Sequence, residues 1–198
     1  MGQFFWLVNT PNKAPDFVHQ LTQHRFVVAQ QYMLEDQDLS RFDGIVLTMH
    51  SDQRHLAANQ SLLIAFLEHG GSIVFNGHVA RPFLPMLKTF RPVEQRGLES
   101  LRMHIETDHP LTRGLTTDDL TFQRSVAGFY GRGTNPPPDD ATVLTSVGSG
   151  RAPVDWLAPI GQGILFVHTG NDLFSFLRRA DPVELGKLRQ FFDFFVRG

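Results

Sequence analysis

The sequence predicts a single α/β domain over residues 1–198, with helices on both faces of a doubly wound, mostly parallel sheet. Short continuous apolar runs are typical of strands buried on both faces, and apolar residues at helical spacing separate several of these runs. Strands that alternate with helices in this way favour a parallel sheet with crossover connections. A chain of 198 residues with 18 phenylalanines can bury a core of its own.

The first half of the chain carries the clearest pattern. Four apolar runs predict buried strands: Gln3 to Asn9, Phe26 to Ala29, Phe42 to Met49 and Ser72 to Phe75. Pro15 in a first turn predicts a short helix between the first two runs. Ser51 or Asp52 caps a longer helix after the third run, and Gly70 ends it just before the fourth.

The middle of the chain, from Arg81 to about Val154, is less regular. Leu101 to Ile105 and Thr142 to Val147 are candidate strands. Ala127 to Asp140 contains three glycines and three consecutive prolines, which predicts an irregular loop. This loop is either a lid or binding loop near the site or a plain surface loop.

Regular structure returns at Gly163 to His168, which predicts another buried strand, and the Gly161-Gln162-Gly163 segment is interpreted as a hairpin turn. The last helix has Asp181 as its N-cap and Pro182 at its first position. Three histidines away from the strand ends are expected at the surface; they are His19, His24 and His69.

Composition excludes several classes of protein. The chain has no cysteine, so disulfides, thiolate nucleophiles and cysteine-ligated metal centres are excluded. Its formal net charge of −2 lacks the basic excess that sequence-independent nucleic-acid binding requires. No apolar stretch approaches the ~18 residues of a membrane span, and the first residues lack the pattern of a secretory signal. We therefore expect a cytoplasmic protein that binds neither nucleic acid nor membranes.

Polar residues follow several of the predicted strands, at the edge where open parallel sheets bind their ligands. Imidazole and carboxylate groups there suit acid–base chemistry, which makes His78, His168 and Asp172 candidate catalytic residues. The candidate ligand-binding residues are Asn9, His50, Asp52, Asn76, Gly77 and Asn171. We expect the histidines to face one cavity. The alternative is that each of these polar residues only caps a helix or forms a turn.

Four stretches carry a family resemblance; they are FDGIVLTMHSD, LEHGGSIVFNGH, HPLTRGL and PVDWLAPIGQGILFVHTGND. They are similar to the class I glutamine amidotransferase-like superfamily, and within it to the ThuA-like (trehalose-utilisation) proteins. The resemblance implies a flavodoxin-like fold, a pocket at the carboxyl ends of the strands and an association with carbohydrate metabolism. Glutamine-hydrolysing members carry a cysteine at the turn that reads Phe75-Asn76-Gly77-His78 here, so thiolate attack on glutamine is excluded.

These observations favour a ThuA-like protein without glutaminase activity that binds a small polar metabolite, such as a sugar derivative. One alternative is a metal-dependent enzyme that binds zinc or iron(II). Its ligands would come from His50, Asp52, His78, His168 and Asp172. The other is a non-catalytic interaction or scaffold subunit with a degenerate site, which exposed Phe191 and Phe194 would favour. The sequence leaves open whether the chain catalyses a reaction, needs a cofactor or forms a homo-oligomer.

Overall fold

The computed structural model describes residues 1–9, 16–21, 23–94, 97–123, 126–170, 173 and 182–197. These residues form an α/β architecture with a large, mostly parallel central sheet and helices. The strands are β1 (Gln3–Val8), β2 (Arg25–Gln30), β3 (Gly44–Leu47), β4 (Ser72–Asn76), β5 (Arg91–Pro92), β6 (Met103–Ile105), β7 (Phe122–Gln123), β8 (Val126–Ala127), β9 (Gly133–Thr134), β10 (Thr142–Val147), β11 (Ala152–Ile160) and β12 (Gly163–His168). The α-helices are α1 (Gln53–Ala58), α2 (Gln60–Glu68), α3 (Thr117–Thr121) and α4 (Pro182–Phe194). Short 3-10 helices are Asp16–His19, Gln31–Asp36, Leu39–Arg41 and Leu98–Leu101.

The central sheet of the described residues has the strand order β2-β1-β3-β4-β12-β11-β10-β6. Its pairings from β2 across to β12 are parallel. Those from β12 across to β6 are antiparallel. The carboxyl ends of β1, β3, β4 and β12 therefore lie side by side, and no other strand separates the segments that follow them. The register places His168 directly beside Asn76.

Two apolar clusters cover the two faces of this sheet. On one face, Leu56 of α1 and Phe66 of α2 pack with Phe75 of β4. On the other face, Phe192 of α4 packs with Trp6 of β1. Because successive side chains of a strand point to opposite faces, strands covered on both sides must be apolar throughout. This explains the continuous apolar runs in the sequence.

The strands predicted from apolar runs are confirmed, with small shifts at their ends. The largest shift is in β3, which spans Gly44–Leu47 where the sequence predicted Phe42 to Met49. The long helix predicted after it is two helices, interrupted at Asn59, whose φ of −98° and ψ of 19° leave the helical range. The last helix is confirmed as α4. Its predicted N-cap, Asp181, and the predicted first-turn Pro15 lie outside the described residues.

The longest strand, β11, was missed by the sequence analysis. It contains Pro153 and Pro159, and proline is typical of edge strands and loops because it cannot donate a ladder hydrogen bond. It also contains the buried carboxylate of Asp155. The turn after it, at Gly161 and Gln162, is confirmed as a hairpin turn between β11 and β12.

The expectation that His24 lies at the surface is wrong, because its side chain is only 2% exposed. The residue immediately precedes β2, and its ring contacts Phe4 edge-on at 5.5 Å and lies 6.3 Å from Phe192. Its Nε2 atom is 3.1 Å from Asp193 Oδ1. The imidazole of His24 can pack within this aromatic cluster because the Asp193 carboxylate lies beside one of its ring nitrogens. His19 and His69 are exposed, as predicted.

Within the described ranges, the helices are all too short or too polar to cross a lipid bilayer.

Candidate functional site

The turn after β4 has a backbone that only glycine accommodates well. Gly77 has a φ of +151°, and a Cβ atom on it would lie 2.7 Å from Met49 Cα in the loop after β3. Its N–H donates to the carbonyl of His168 at the end of β12, at 3.0 Å. Gly77 therefore allows the segments that follow three neighbouring strands to come into contact.

His168 is paired with a buried carboxylate on the neighbouring strand. Its Nδ1 atom is 2.6 Å from Asp155 Oδ1, and the two side chains are 0% and 3% exposed. The other carboxylate oxygen accepts hydrogen bonds from the Tyr130 hydroxyl, at 2.8 Å, and from the Thr145 hydroxyl. A buried carboxylate needs such donors to offset its loss of hydration.

This arrangement sets the tautomer of His168. Since the carboxylate accepts, Nδ1 carries a proton, and the other ring nitrogen is Nε2. Among the described residues Nε2 has no hydrogen-bond partner. Gly170 packs closely against this nitrogen. A Cβ atom on residue 170 would collide with His168 Nε2 and with the Tyr130 carbonyl oxygen. Burial and the nearby Asp155 carboxylate raise the pKa of Tyr130 well above its usual value, so its hydroxyl remains a donor.

The loop from Ala127 to Asp140 is held against the site by Asn135, which is fully buried. Its side-chain Nδ2 donates to the Gly77 carbonyl at 2.8 Å, and its Oδ1 accepts from the Val79 N–H at 2.9 Å. Its backbone carbonyl accepts from Trp156 Nε1 at 2.9 Å. The loop thus lies next to His78, as a binding loop would, and its buried hydrogen bonds hold it in place.

An open groove of about 690 Å³ lies between the loops that follow β3 and β4; we call it the edge groove. Its walls include Ser51, Gln53, Arg54, His78 and Arg81. The Gln53 side chain shapes one wall: Nε2 donates to the His78 carbonyl at 2.7 Å, and Oε1 accepts from the N–H groups of Ala80 and Arg81, each at 2.9 Å.

The imidazole of His78 is half-buried at this groove. It stacks on Phe90 with the ring centroids 3.8 Å apart and an interplanar angle of 11°. Burial, with a smaller contribution from nearby His168, lowers the pKa of His78, so its ring is neutral at pH 7. Its Nε2 atom has no hydrogen-bond partner in the described part of the chain.

The remaining candidates take different places. Asp52 lines the groove, but its carboxylate caps α1 by accepting from the Arg54 and His55 N–H groups. Asn9 donates to the His50 carbonyl at 3.2 Å, at the exposed rim. Asn76 is buried and accepts from the Leu173 N–H at 3.0 Å. Asn171 and Asp172 lie outside the described residues.

The candidate residues therefore do not all line one cavity in the described part of the chain. His78 and Asp52 line the edge groove, whereas His168 and Asn76 are buried at the neighbouring strand ends and His50 is exposed at the rim. The described ranges contain no group of three histidine, aspartate or glutamate side chains placed to hold a metal ion. Whether the candidate residues act as predicted stays a prediction.

The sequence analysis missed the residues that hold His168 and the turn after β4; they are Asp155, Tyr130, Thr145 and Asn135. Asp155 carried a weak signal, as a lone acidic residue in the apolar run from Val154 to Ala158. A buried charge of this kind is rare unless it is paired. Tyr130 and Asn135 lie in the predicted irregular loop and Thr145 lies in β10, and nothing in the local sequence indicated that they contact Asp155 or the turn after β4.

No family model matches the sequence, and no curated protein matches it. Solved structures share its fold. A cytoplasmic protein from Salmonella typhimurium has a TM-score of 0.63 and 11% identity over 100% of both chains. A second cytoplasmic protein, from Salmonella typhimurium LT2, has a TM-score of 0.60 and 7% identity over 98% of this chain and 100% of that chain. PurLQS from Thermotoga maritima has a TM-score of 0.55 and 13% identity over 98% of this chain and 99% of that chain. The chain is therefore similar in fold to structures that include a glutamine amidotransferase-like one.

Proposed function

We propose that the protein is a ThuA-like member of the class I glutamine amidotransferase-like superfamily, with a flavodoxin-like sheet. It binds a small polar metabolite, such as a sugar derivative, at the carboxyl ends of the sheet strands and does not hydrolyse glutamine. The observation that carries the proposal is the pair of histidines at the ends of the adjacent strands β4 and β12, His78 and His168. In each, Nε2 has no hydrogen-bond partner among the described residues.

The energetics of unpaired polar groups support a ligand here. A buried polar atom without a partner costs about 1–3 kcal/mol, and a ligand hydroxyl that reaches it recovers part of that cost. The neutral ring of His78 can accept or donate, and sugar hydroxyls can do both. The edge groove brings a ligand to His78, and His168 lies behind it within electrostatic reach.

The pairing of His168 with Asp155 supports acid–base chemistry at the end of β12, beside the turn that carries His78. A carboxylate that holds an imidazole by Nδ1 keeps the opposite nitrogen free to take a proton and stabilises the ring once it is charged. The absence of cysteine from the sequence removes the thiolate that glutamine hydrolysis in this superfamily requires.

The scaffold alternative is not favoured. Phe191 and Phe194, whose exposure would have supported it, are partly buried against the α4 face of the sheet. The buried hydrogen-bond network around Asp155 also favours a retained site over a degenerate one.

Isothermal titration calorimetry and thermal unfolding with a panel of neutral sugars and sugar phosphates, including glucose, trehalose and glucose 6-phosphate, test the proposal. At least one compound should bind, and His78→Ala should weaken its affinity by about tenfold or more, as expected for loss of one hydrogen bond. The matched control is His69→Ala, an exposed histidine at the opposite end of β4, which should bind like the wild type. Binding that is identical in His78→Ala, or no binding across the panel, would contradict it.

A further inference from the structure

The edge groove carries uncompensated positive charge. Arg54, in α1, and Arg81, in the loop after β4, are both exposed and line the groove. Within the described part of the chain, neither side chain forms an ion pair or a hydrogen bond. Surface arginines without partners inside a concave site are suited to bind anions, because the planar guanidinium donates two parallel hydrogen bonds to phosphate or carboxylate oxygens.

The carboxylate that lines the groove does not neutralise these arginines. Asp52 Oδ1 accepts from the N–H groups of Arg54 and His55, at 2.9 and 3.3 Å, and Oδ2 accepts from the Tyr32 hydroxyl at 3.2 Å. These hydrogen bonds lower the pKa of Asp52 and hold its carboxylate at the start of α1. Its charge is therefore directed at the backbone of the helix.

Two neutral polar side chains, Ser51 and His78, also line the groove. Their Oγ and Nε2 atoms are shielded from solvent and have no hydrogen-bond partners among the described residues. Gln53 fixes the backbone of residues 78 to 81 and so limits how far Arg81 can move from the opposite wall. Pre-organisation of this kind reduces the entropy lost when a ligand binds.

We propose that the edge groove binds the phosphate group of a small polar phosphate monoester, with Arg54 and Arg81 as the charged contacts. This inference rests on the proposed function and names the chemical class of its ligand. Two guanidinium groups match a phosphate monoester, which carries a charge of about −1.5 to −2 at pH 7, better than a carboxylate with a single charge. A phosphate also has three terminal oxygens, enough to accept hydrogen bonds from both guanidinium groups.

Calorimetric titrations with glycerol 3-phosphate, inorganic phosphate, glycerate and glycerol test this inference. The wild type should bind the two phosphate compounds, should bind glycerate more weakly and should not bind glycerol. Arg54→Gln and Arg81→Gln should each weaken the binding of glycerol 3-phosphate by about tenfold or more. Arg41→Gln, which removes an exposed arginine outside the groove, should bind like the wild type. Circular dichroism verifies that all variants fold.

Several outcomes would overturn the inference. They are equal affinity for glycerate and glycerol 3-phosphate, no binding of either phosphate compound, or unchanged binding in both groove variants. If a neutral sugar binds in a His78-dependent manner and the phosphate compounds do not, the proposed function stands and this inference falls. If phosphate binding requires both arginines but is the same in His78→Ala, this inference stands and the role given to His78 falls.

Discussion

Asp155 and His168 face each other across the antiparallel strands β11 and β12, with Oδ1 of the carboxylate 2.6 Å from Nδ1 of the imidazole. The pair is buried, and the hydroxyls of Tyr130 and Thr145 donate to the second carboxylate oxygen. His168 is therefore held in one tautomer at the end of the strand that neighbours the turn of His78. We expect this buried network to contribute to the stability of the fold.

Replacing Asp155 by asparagine should destabilise the protein by about 2–4 kcal/mol. The change removes the charge that pairs with His168, and the amide cannot accept every donor that the carboxylate accepts. Urea unfolding monitored by circular dichroism measures the loss. The control is Asp139→Asn at an exposed aspartate, which should stay within about 0.5 kcal/mol of the wild type. Equal stability of the two variants would show that the buried network contributes nothing.

Gly77→Ala should lower the free energy of unfolding by about 1–3 kcal/mol, since its φ of +151° is unfavourable for alanine and the new Cβ would lie 2.7 Å from Met49 Cα. Gly150→Ala is the matched control, because nothing lies within 4 Å of a Cβ built there. Thermal and urea unfolding of both variants compare them. A Gly77→Ala protein as stable as Gly150→Ala would mean that the loop after β3 moves aside at little cost.

Asn135→Ala should release the turn after β4. The variant leaves the Val79 N–H and the Gly77 carbonyl without their buried partner, at a cost of about 2–4 kcal/mol for the two groups together. Hydrogen–deuterium exchange of the peptide that contains Val79 should become faster than in the wild type, while exchange in β1 should change less. Uniform acceleration over the whole chain would indicate global destabilisation instead.

Stability should fall as the pH is lowered below about 6.5, the usual histidine value. Burial lowers the pKa of His24, against the opposing effect of Asp193, and also lowers the pKa of His78. Between the lowered pKa of the folded protein and the usual pKa of the unfolded chain, these two histidines are more protonated in the unfolded chain. The free energy of unfolding therefore decreases as the pH falls through this range.

Urea unfolding at pH 7.5, 6.5 and 5.5 measures this dependence. His24→Phe, which keeps an aromatic ring in the cluster but does not titrate, should show a smaller loss of stability over this range. His69→Gln at an exposed position is the control. A wild-type protein with the same stability at all three pH values would contradict the prediction.

The purified protein should not release ammonia from glutamine, because its sequence contains no cysteine to supply a thiolate. A coupled glutamate dehydrogenase assay, with a glutaminase as the positive control, measures the activity. Ammonia release that His78→Ala or Asn76→Ala abolishes would show that another nucleophile acts at the turn after β4.

The sequence by itself determined the elements that repeat a local pattern. The apolar runs of β1, β3, β4 and β12 identify strands buried on both faces, because covering both faces requires apolar side chains at every position. Glycines and caps mark the turns between them. The edge at which polar residues gather follows as well, since parallel strands all end at the same side of a sheet.

Only the tertiary structure decided which of these polar residues meet. The pairing of Asp155 with His168 depends on the register of β11 against β12, and local periodicity contains no information about register. The strand β11 itself is hard to predict because it contains two prolines, which are unusual inside a sheet. The separation of His78 in the groove from buried His168 depends on which loop covers each strand end. Asn135 holds its loop at the turn after β4 by a hydrogen bond to Gly77, a residue 58 positions away in the sequence. Such contacts are set by long-range packing, so their residues become visible only once the chain is folded.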